Sequence, residues 1–394
     1  MISEKMTELG LKRSVIREIF EYGNKRRAEI GSENVFDFSL GNPSIPAPDF
    51  VNQTMKNLIE KTNPVALHGY TSAQGALPVR QAIADDINKR FGAGATPDLL
   101  YMTCGAAASL TITLNAIVNK GDEVIVLAPF FPEYRVFAEK AGAEIRIVKC
   151  RESDLQIDFD ALNEALNEKT KAIIVNSPNN PSGVVFNQDT IETLCNLLSQ
   201  KSKEYGNDIF IIADEPYREL VYGGIEVPYI PNFYDNTVVC YSFSKSLSLP
   251  GERIGYIFVS PKVNECQKVY AAVCGAGRAL GFVCAPSLLQ YTVAECLGMT
   301  ADISVYDKNR NLLYNALTEY GYEAARPDGA FYLFVKSPEK DAAAFCERAK
   351  KYEILIVPSD DFGMEGYVRI SYCVSTQMIE KSLDSFKKLI DEYK

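Results

Sequence analysis

The sequence is short of histidine: His68 is the only one in 394 residues. A multi-histidine metal site is therefore excluded, and a Ser-His-Asp triad or a Cys-His pair would have to use that one side chain. His68 stands between Leu67 and Gly69, beside a turn signal, where a structural role is the simpler reading. An excess of positive charge is lacking too. The formal net charge is −10, which argues against non-specific nucleic-acid binding, since that requires a basic face. It leaves room for a local positive pocket around a small anion. No apolar run approaches membrane-spanning length, and Met1 to Ile30 read as a charged helical segment rather than a signal peptide. The ten cysteines form no C-x-x-C pair and sit singly in apolar or amphipathic runs, as Cys240 does between Val239 and Tyr241. Free buried thiols in a reducing compartment follow, and a soluble cytoplasmic protein is expected.

What is present is an ordinary globular composition, 47% apolar and 23% charged, in a chain longer than one core usually organises. Between about residues 100 and 260, short β-branched runs alternate with amphipathic stretches. The spacing predicts strands at Leu100–Thr103, Glu123–Leu127, Ala143–Val148, Ala172–Asn176, Ile209–Asp214, Val238–Ser242 and Ile254–Val259. Helices are expected at Ala106–Val118, Phe131–Ala141, Phe159–Leu166 and Gln188–Lys201. Alternation of this kind gives parallel strands joined by crossovers, and the last strand, with little before it, suits an antiparallel or tight connection. Beyond residue 285 the rhythm changes: a long helical stretch Pro286–Tyr320, an extended segment near Ala330–Val335, a helix at Asp341–Lys351, strands near Ile354–Val357 and Tyr367–Ser371, and a final helix from Thr376. The expected fold class is α/β: a large three-layer domain with a mostly parallel seven-stranded sheet at residues 46–285. A smaller α+β domain at 286–394 follows, with residues 1–45 as an arm packing on it.

In open α/β sheets ligands bind beyond the carboxyl ends of the strands, and the chemically informative residues fall there. Gly105, Ala106 and Ala107 follow the first strand and open a helix, so their N–H groups could receive an anion; a tight turn without a ligand fits equally well. No Gly-Lys-Ser/Thr follows, and Gly275 to Gly281 lacks dinucleotide-fingerprint spacing. Asn176 to Gly183 is a proline- and asparagine-rich turn after another strand, structural or ligand-facing. Asp214 ends an apolar strand, where a carboxylate is costly unless paired, and a protonated ring nitrogen would serve; the other reading is a cap of the following turn. Tyr217 follows three residues on. Lys245 is the sharpest signal. It follows an apolar strand, is flanked by Ser242, Ser244 and Ser246, and has Arg253 shortly after. Hydroxyls and a guanidinium suit a phosphate, and an amine in a partly dry pocket suits imine formation.

Taken in order, these clusters resemble the class I/II aminotransferases among the fold-type I pyridoxal-phosphate enzymes. Ser242 to Tyr256 looks like that family's S-x-S-K-x-x-x-x-x-G-x-R-x-G-Y signature. Asn179 to Gly183 and Asp214 to Tyr217 match its asparagine and aspartate motifs. Gly41 to Pro43, Gly69 to Gly75 and Tyr367 to Ser371 match motifs nearer the termini. The resemblance covers about residues 35 to 375. It implies pyridoxal 5'-phosphate as cofactor, carried by Lys245 as an imine, with Lys245 also moving the substrate proton. It further implies Asp214 on the pyridinium nitrogen, Asn180 and Tyr217 on the phenolic oxygen, and Phe131 against the ring. The phosphate would rest on Gly105, Ala106, Ala107, Ser242, Ser244 and Arg253. Tyr70 would reach the neighbouring subunit's phosphate, which implies a homodimer with shared sites. Arg369 would hold the substrate α-carboxylate, with Gly41 and Asn180 nearby.

The sequence departs from relatives in places. Ala106 to Ala108 stand where a polar residue is common, and the ring-stacking position is Phe131 in a chain with no tryptophan. Arg278 is the candidate for a distal carboxylate, on its place in the glycine-rich stretch alone. Transamination between an amino acid, aspartate or glutamate by default, and a 2-oxo acid such as 2-oxoglutarate is the leading expectation. A carbon–sulfur lyase or aminocyclopropane-carboxylate synthase would share the site. A non-catalytic regulatory relative is disfavoured by the joint presence of Lys245, Asp214 and Arg369.

Overall fold

The computed structural model describes residues 2–11 and 15–394. Its largest sheet has seven strands: β1 (Leu100–Thr103), β2 (Glu123–Ala128), β3 (Glu144–Lys149), β4 (Thr170–Asn176), β5 (Phe210–Asp214), β6 (Thr237–Ser242) and β7 (Gly255–Val259). The spatial order is β1-β7-β6-β5-β4-β2-β3. Pairing is parallel throughout except that β7 runs antiparallel to both its neighbours, β1 and β6. Central strands such as β5 and β6 are buried at every residue, which is why they read as continuous apolar runs rather than alternating ones. The edge strand β3 is largely exposed and carries Glu144, Arg146 and Lys149, charges that discourage pairing with another chain. Arg146 also pairs with Glu123 of β2 at 2.8 Å.

Helix Ala106–Ile117 packs on β5, β6 and β7 and against helix Cys266–Leu280. One hydrophobic cluster unites this sheet with the helices on it, from Val51 to Cys296. A second cluster gathers Phe38, Tyr217, Leu220 and Tyr222 with residues from Tyr306 to Ile390. It lies on a three-stranded sheet in which Tyr367–Ser371 runs antiparallel between Val357–Pro358 and Tyr332–Lys336. The N-terminal segment joins this region: Phe36 and Asp37 pair in parallel with Ile354 and Leu355, and Arg26 bonds Glu353.

One expectation for the C-terminal half needs correction, and one stretch left unassigned by the sequence takes its structure here. The stretch Pro286–Tyr320 is two helices, Ser287–Glu295 and Ser304–Tyr320, because Gly298 at φ +77 turns the chain between them. The glycine-rich stretch around Arg278 is helical, ending the helix Cys266–Leu280. Gly277 allows this: a Cβ there would lie 2.3 Å from the Tyr101 hydroxyl, so glycine brings the helix down onto β1. All ten cysteines are unpaired.

Candidate active site

The carboxyl ends of β1, β2, β4, β5 and β6, with the start of antiparallel β7, open on one edge of the sheet. A cavity of about 300 Å³ sits there. Its walls include Gly41, Ala106, Ala107, Phe131, Asn180, Asp214, Tyr217, Ser242, Ser244, Lys245, Arg253 and Arg369, so residues spread over more than 300 positions of sequence converge.

At the end of β1 the chain turns at Gly105 (φ +87), which precedes the first residue of helix Ala106–Ile117. A Cβ on Gly105 would lie 2.9 Å from Nη2 of Arg253, so glycine serves both the backbone conformation and the approach of the guanidinium to the helix N-terminus. The Ser242 hydroxyl lies 2.7 Å from that of Ser244 and accepts the Ser244 N–H at 3.2 Å, capping the short helix Phe243–Ser246. Hydroxyls, exposed helix N–H groups and an arginine thus face the same space.

Asp214 ends β5 fully buried. Its Oδ2 accepts the Tyr134 hydroxyl at 2.5 Å, and its Oδ1 is buried with no hydrogen-bond partner. It does not cap the following turn. Burial is the main cause that pushes its carboxyl up to about 7; Glu215 adds to the rise and the Tyr134 bond opposes it. Asn176, at the end of β4, donates to the Asp214 carbonyl at 2.9 Å and accepts the Asn180 N–H at 2.8 Å. The Asn180 side chain in turn accepts Nη1 of Arg369 at 3.1 Å.

Lys245 stands in the four-residue helix Phe243–Ser246, and its Nζ donates to the Gly41 carbonyl at 2.7 Å. Burial pulls its amine down to about 8, with Arg369 and Arg253 contributing and Cys373 opposing. Arg369 lies in the middle strand of the smaller sheet, its guanidinium between the rings of Tyr332 and Phe362 at 4.8 and 5.2 Å. Nη2 donates to the Ser39 carbonyl at 2.6 Å, while Nε is buried and unpartnered. The Tyr217 and Tyr332 hydroxyls are 3.0 Å apart, and burial pushes the Tyr332 phenol up to about 12.

Two sequence candidates do not join this cavity. Tyr70 is 98% exposed, on the surface of its own chain. Arg278 is exposed on its helix, because the neighbouring Gly277 is the residue turned onto Tyr101. His68 is exposed at the end of the short helix Pro64–His68. Sequence reading also missed residues. Tyr134 lies three positions after Phe131, in the first turn of helix Glu133–Ala141, and its nearness to a ring-facing candidate could have flagged it. Tyr332 fills the space beside Gly41, where a Cβ would sit 1.9 Å from its hydroxyl. Ile16, from helix Val15–Ile30, also lines the cavity.

The family profile described as "Aminotransferase class I and II" matches residues 33–386. The chain belongs to this family. Among relatives of this aminotransferase, the aspartate aminotransferase of Thermotoga maritima is 28% identical over 99% of this chain and 100% of its own length. The aromatic-amino-acid aminotransferase 2 of Thermococcus litoralis is 26% identical, covering 97% of this chain and 96% of that one. Among solved structures, an amino transferase from Eubacterium rectale is 56% identical with a TM-score of 0.98, covering 100% of this chain and 99% of that one. The α/β fold with its mostly parallel sheet, and transaminase activity, are therefore those of its relatives.

Proposed function

We propose that this aminotransferase uses pyridoxal 5'-phosphate in the cavity described, moving an amino group between an L-amino acid and a 2-oxo acid. The observation that carries the reading is the unpartnered Oδ1 of buried Asp214 in the same cavity as a lysine of lowered pKa. A buried carboxylate oxygen without a partner is costly, and a ligand N–H⁺ removes that cost. The remaining residues fit the same group. Ala106 and Ala107 N–H groups, Ser242, Ser244 and Arg253 would hold its phosphate, with Gly105 keeping the approach open. Phe131 would cover its ring, and Asn180 and Tyr217 would meet its phenolic oxygen. When bound, the group supplies an electron sink for negative charge at the substrate Cα.

The chain's own part follows from the site. Lys245, with an amine near 8, is neutral in a useful fraction at cellular pH, so Nζ can take the Cα proton and return it elsewhere. Arg369, flattened between two rings, presents Nε to a carboxylate and fixes the donor's α-carboxylate. The names of the Thermotoga and Thermococcus relatives support aspartate or an aromatic amino acid as donor; 2-oxoglutarate as the accepting oxo acid is our own reading. We read the enzyme as a cytoplasmic homodimer in which Tyr70 reaches the other subunit's site; its exposure in the single chain supports this.

The test is an absorbance spectrum of the protein supplied with pyridoxal 5'-phosphate, before and after a panel of amino acids. A visible-edge band that is lost in Lys245→Ala and converted to a pyridoxamine-like band by one donor is expected. Release of pyruvate or ammonia without that conversion would identify a lyase. No lysine-dependent band at all would overturn the reading.

A further inference from the structure

Behind Lys245 lies a second, smaller cavity of about 140 Å³. The strand-to-helix segment Tyr241–Ser246 separates the two spaces: Ser242, Ser244 and Lys245 line the front one, while Tyr241, Phe243 and Ser246 line the back one. Across the back cavity runs a polar line. Arg90 donates to Glu219 Oε1 at 2.9 Å, and the Tyr241 hydroxyl lies 2.9 Å from Glu219 Oε2 and 3.0 Å from the Ser246 hydroxyl. A phenol has one proton, so Tyr241 donates to the carboxylate and accepts from Ser246. The Ser246 carbonyl also accepts the Ala301 N–H at 2.8 Å. The line starts at a third-exposed arginine, which also meets Asp86, and ends on the residue next to Lys245.

A helix of four residues has no stability of its own, so external contacts must set its orientation. We propose that Arg90, Glu219 and Tyr241 are positioning residues that hold the Lys245 helix through Ser246, fixing Nζ on the Gly41 carbonyl and away from water. The inference rests on Lys245 being the reactive lysine. Tyr241 can hold a fixed position because its ring is clamped by Phe243 and Tyr256, with centroids at 5.1 and 4.9 Å, leaving the hydroxyl little freedom. Glu219 is largely buried, and its ion pair with Arg90 holds the carboxylate where it accepts the Tyr241 hydroxyl.

The test compares Tyr241→Phe, Glu219→Gln and the double variant in the full chain. Trace acetylation by acetic anhydride, read at Lys245 by peptide mass spectrometry across pH on cofactor-free protein, reports the amine directly. The wild-type midpoint is expected at about 8. Both single variants should move it upward, because a loosened helix lets Nζ reach water. With cofactor present, kcat should fall between about ten- and a hundredfold, as for misplacement of a reacting group, with KM little changed. The double variant should lose no more than Tyr241→Phe alone, since both break one line. Unmoved midpoints with intact kcat, or additive losses, overturn the proposal. Failure of the proposed function looks different: wild type would not transaminate while the labelling midpoints still shifted. A variant that does not fold is recognised by its melting curve, and Tyr241→Phe keeps the ring packing to guard against this.

Discussion

Replacing Tyr134 by phenylalanine isolates one hydrogen bond on the residue proposed to face the cofactor ring. The hydroxyl donates to Asp214 Oδ2 at 2.5 Å, both side chains are buried, and the ring can stay where it is. The bond favours the charged carboxylate, so its loss pushes the Asp214 carboxyl above about 7. A charge-assisted bond contributes about 1.5–3 kcal/mol and a neutral one about 1, so the difference corresponds to roughly one pH unit of further shift. The sign for stability follows. Native Asp214 holds its proton up to about 7 while the unfolded chain releases it near 3.8, so native protein binds more protons in that window. Wild-type stability without cofactor should therefore fall as pH rises from about 4 to about 7, and in Tyr134→Phe the fall should continue past 7. The assay is thermal melting of cofactor-free protein from pH 5 to pH 9. The variant should lose more at pH 8 than at pH 5, by about 1–2 kcal/mol, and Asp214→Asn should erase the difference. An equal loss at both pH values, or the same loss in an Asp214→Asn background, would refute the reasoning.

Other consequences can be checked alongside. Lys245 sits about 2.5 pH units below its unfolded value, a cost near 3 kcal/mol. Lys245→Met should therefore raise the melting temperature of cofactor-free protein at pH 7, with the gain fading as pH rises from about 8 to 10.5; a constant gain would show packing instead. Arg369→Ala should lower kcat/KM for the donor about a hundredfold through lost carboxylate binding, near 3 kcal/mol, measured against an amine lacking the carboxylate. Gly41→Ala places a Cβ 1.9 Å from the Tyr332 hydroxyl and should cripple turnover, with partial recovery on adding Tyr332→Phe. Mixing inactive Tyr70→Phe and Lys245→Ala subunits should restore activity if sites are shared across a dimer, because one site of the hybrid carries neither change.

Much of the main sheet was legible because its strands are short apolar runs bounded by turn signals, and their ends carry the unusual residues. Lys245 and Asp214 stood out because a charge at the end of a buried strand needs a reason. Tyr134 and Tyr332 did not stand out. A tyrosine in an amphipathic helix or an aromatic strand reads as core, and only the fold shows Tyr134 meeting Asp214 and Tyr332 filling the space beside Gly41. The helix Cys266–Leu280 was illegible for a related reason. Gly275 and Gly277 lower helix propensity, but close packing on Tyr101 favours the small residue, and tertiary contact overrides the local preference. The break at Gly298 was hidden by the opposite ambiguity, since a lone glycine inside a helical pattern is often tolerated. Arg278 could be named from sequence, yet where it lies depends on which face of helix Cys266–Leu280 turns inward, and Tyr70 stands in the chain that leaves helix Pro64–His68, exposed on its own subunit.

The charges of the cavity connect these points. Asp214 and Lys245 are opposite in sign, yet each is pulled toward its neutral form, because burial costs both and neither pairs with the other. Asp214 has a tyrosine and an unpartnered oxygen; Lys245 has a carbonyl. A structural ion pair would have been the simpler way to bury two charges. Keeping them apart makes sense when each waits for its own end of a ligand: a cationic N–H for Asp214, and a carbonyl carbon for the amine of Lys245. Such a ligand relieves both penalties at once, so its binding free energy becomes folding free energy. Loaded protein should then lose the fall in stability between about pH 4 and 7, since Asp214 would be ionised and paired across that window. If added pyridoxal 5'-phosphate raises the melting temperature by the same amount at pH 5 and pH 8, Asp214 does not meet a cation and its place at the ring nitrogen is wrong.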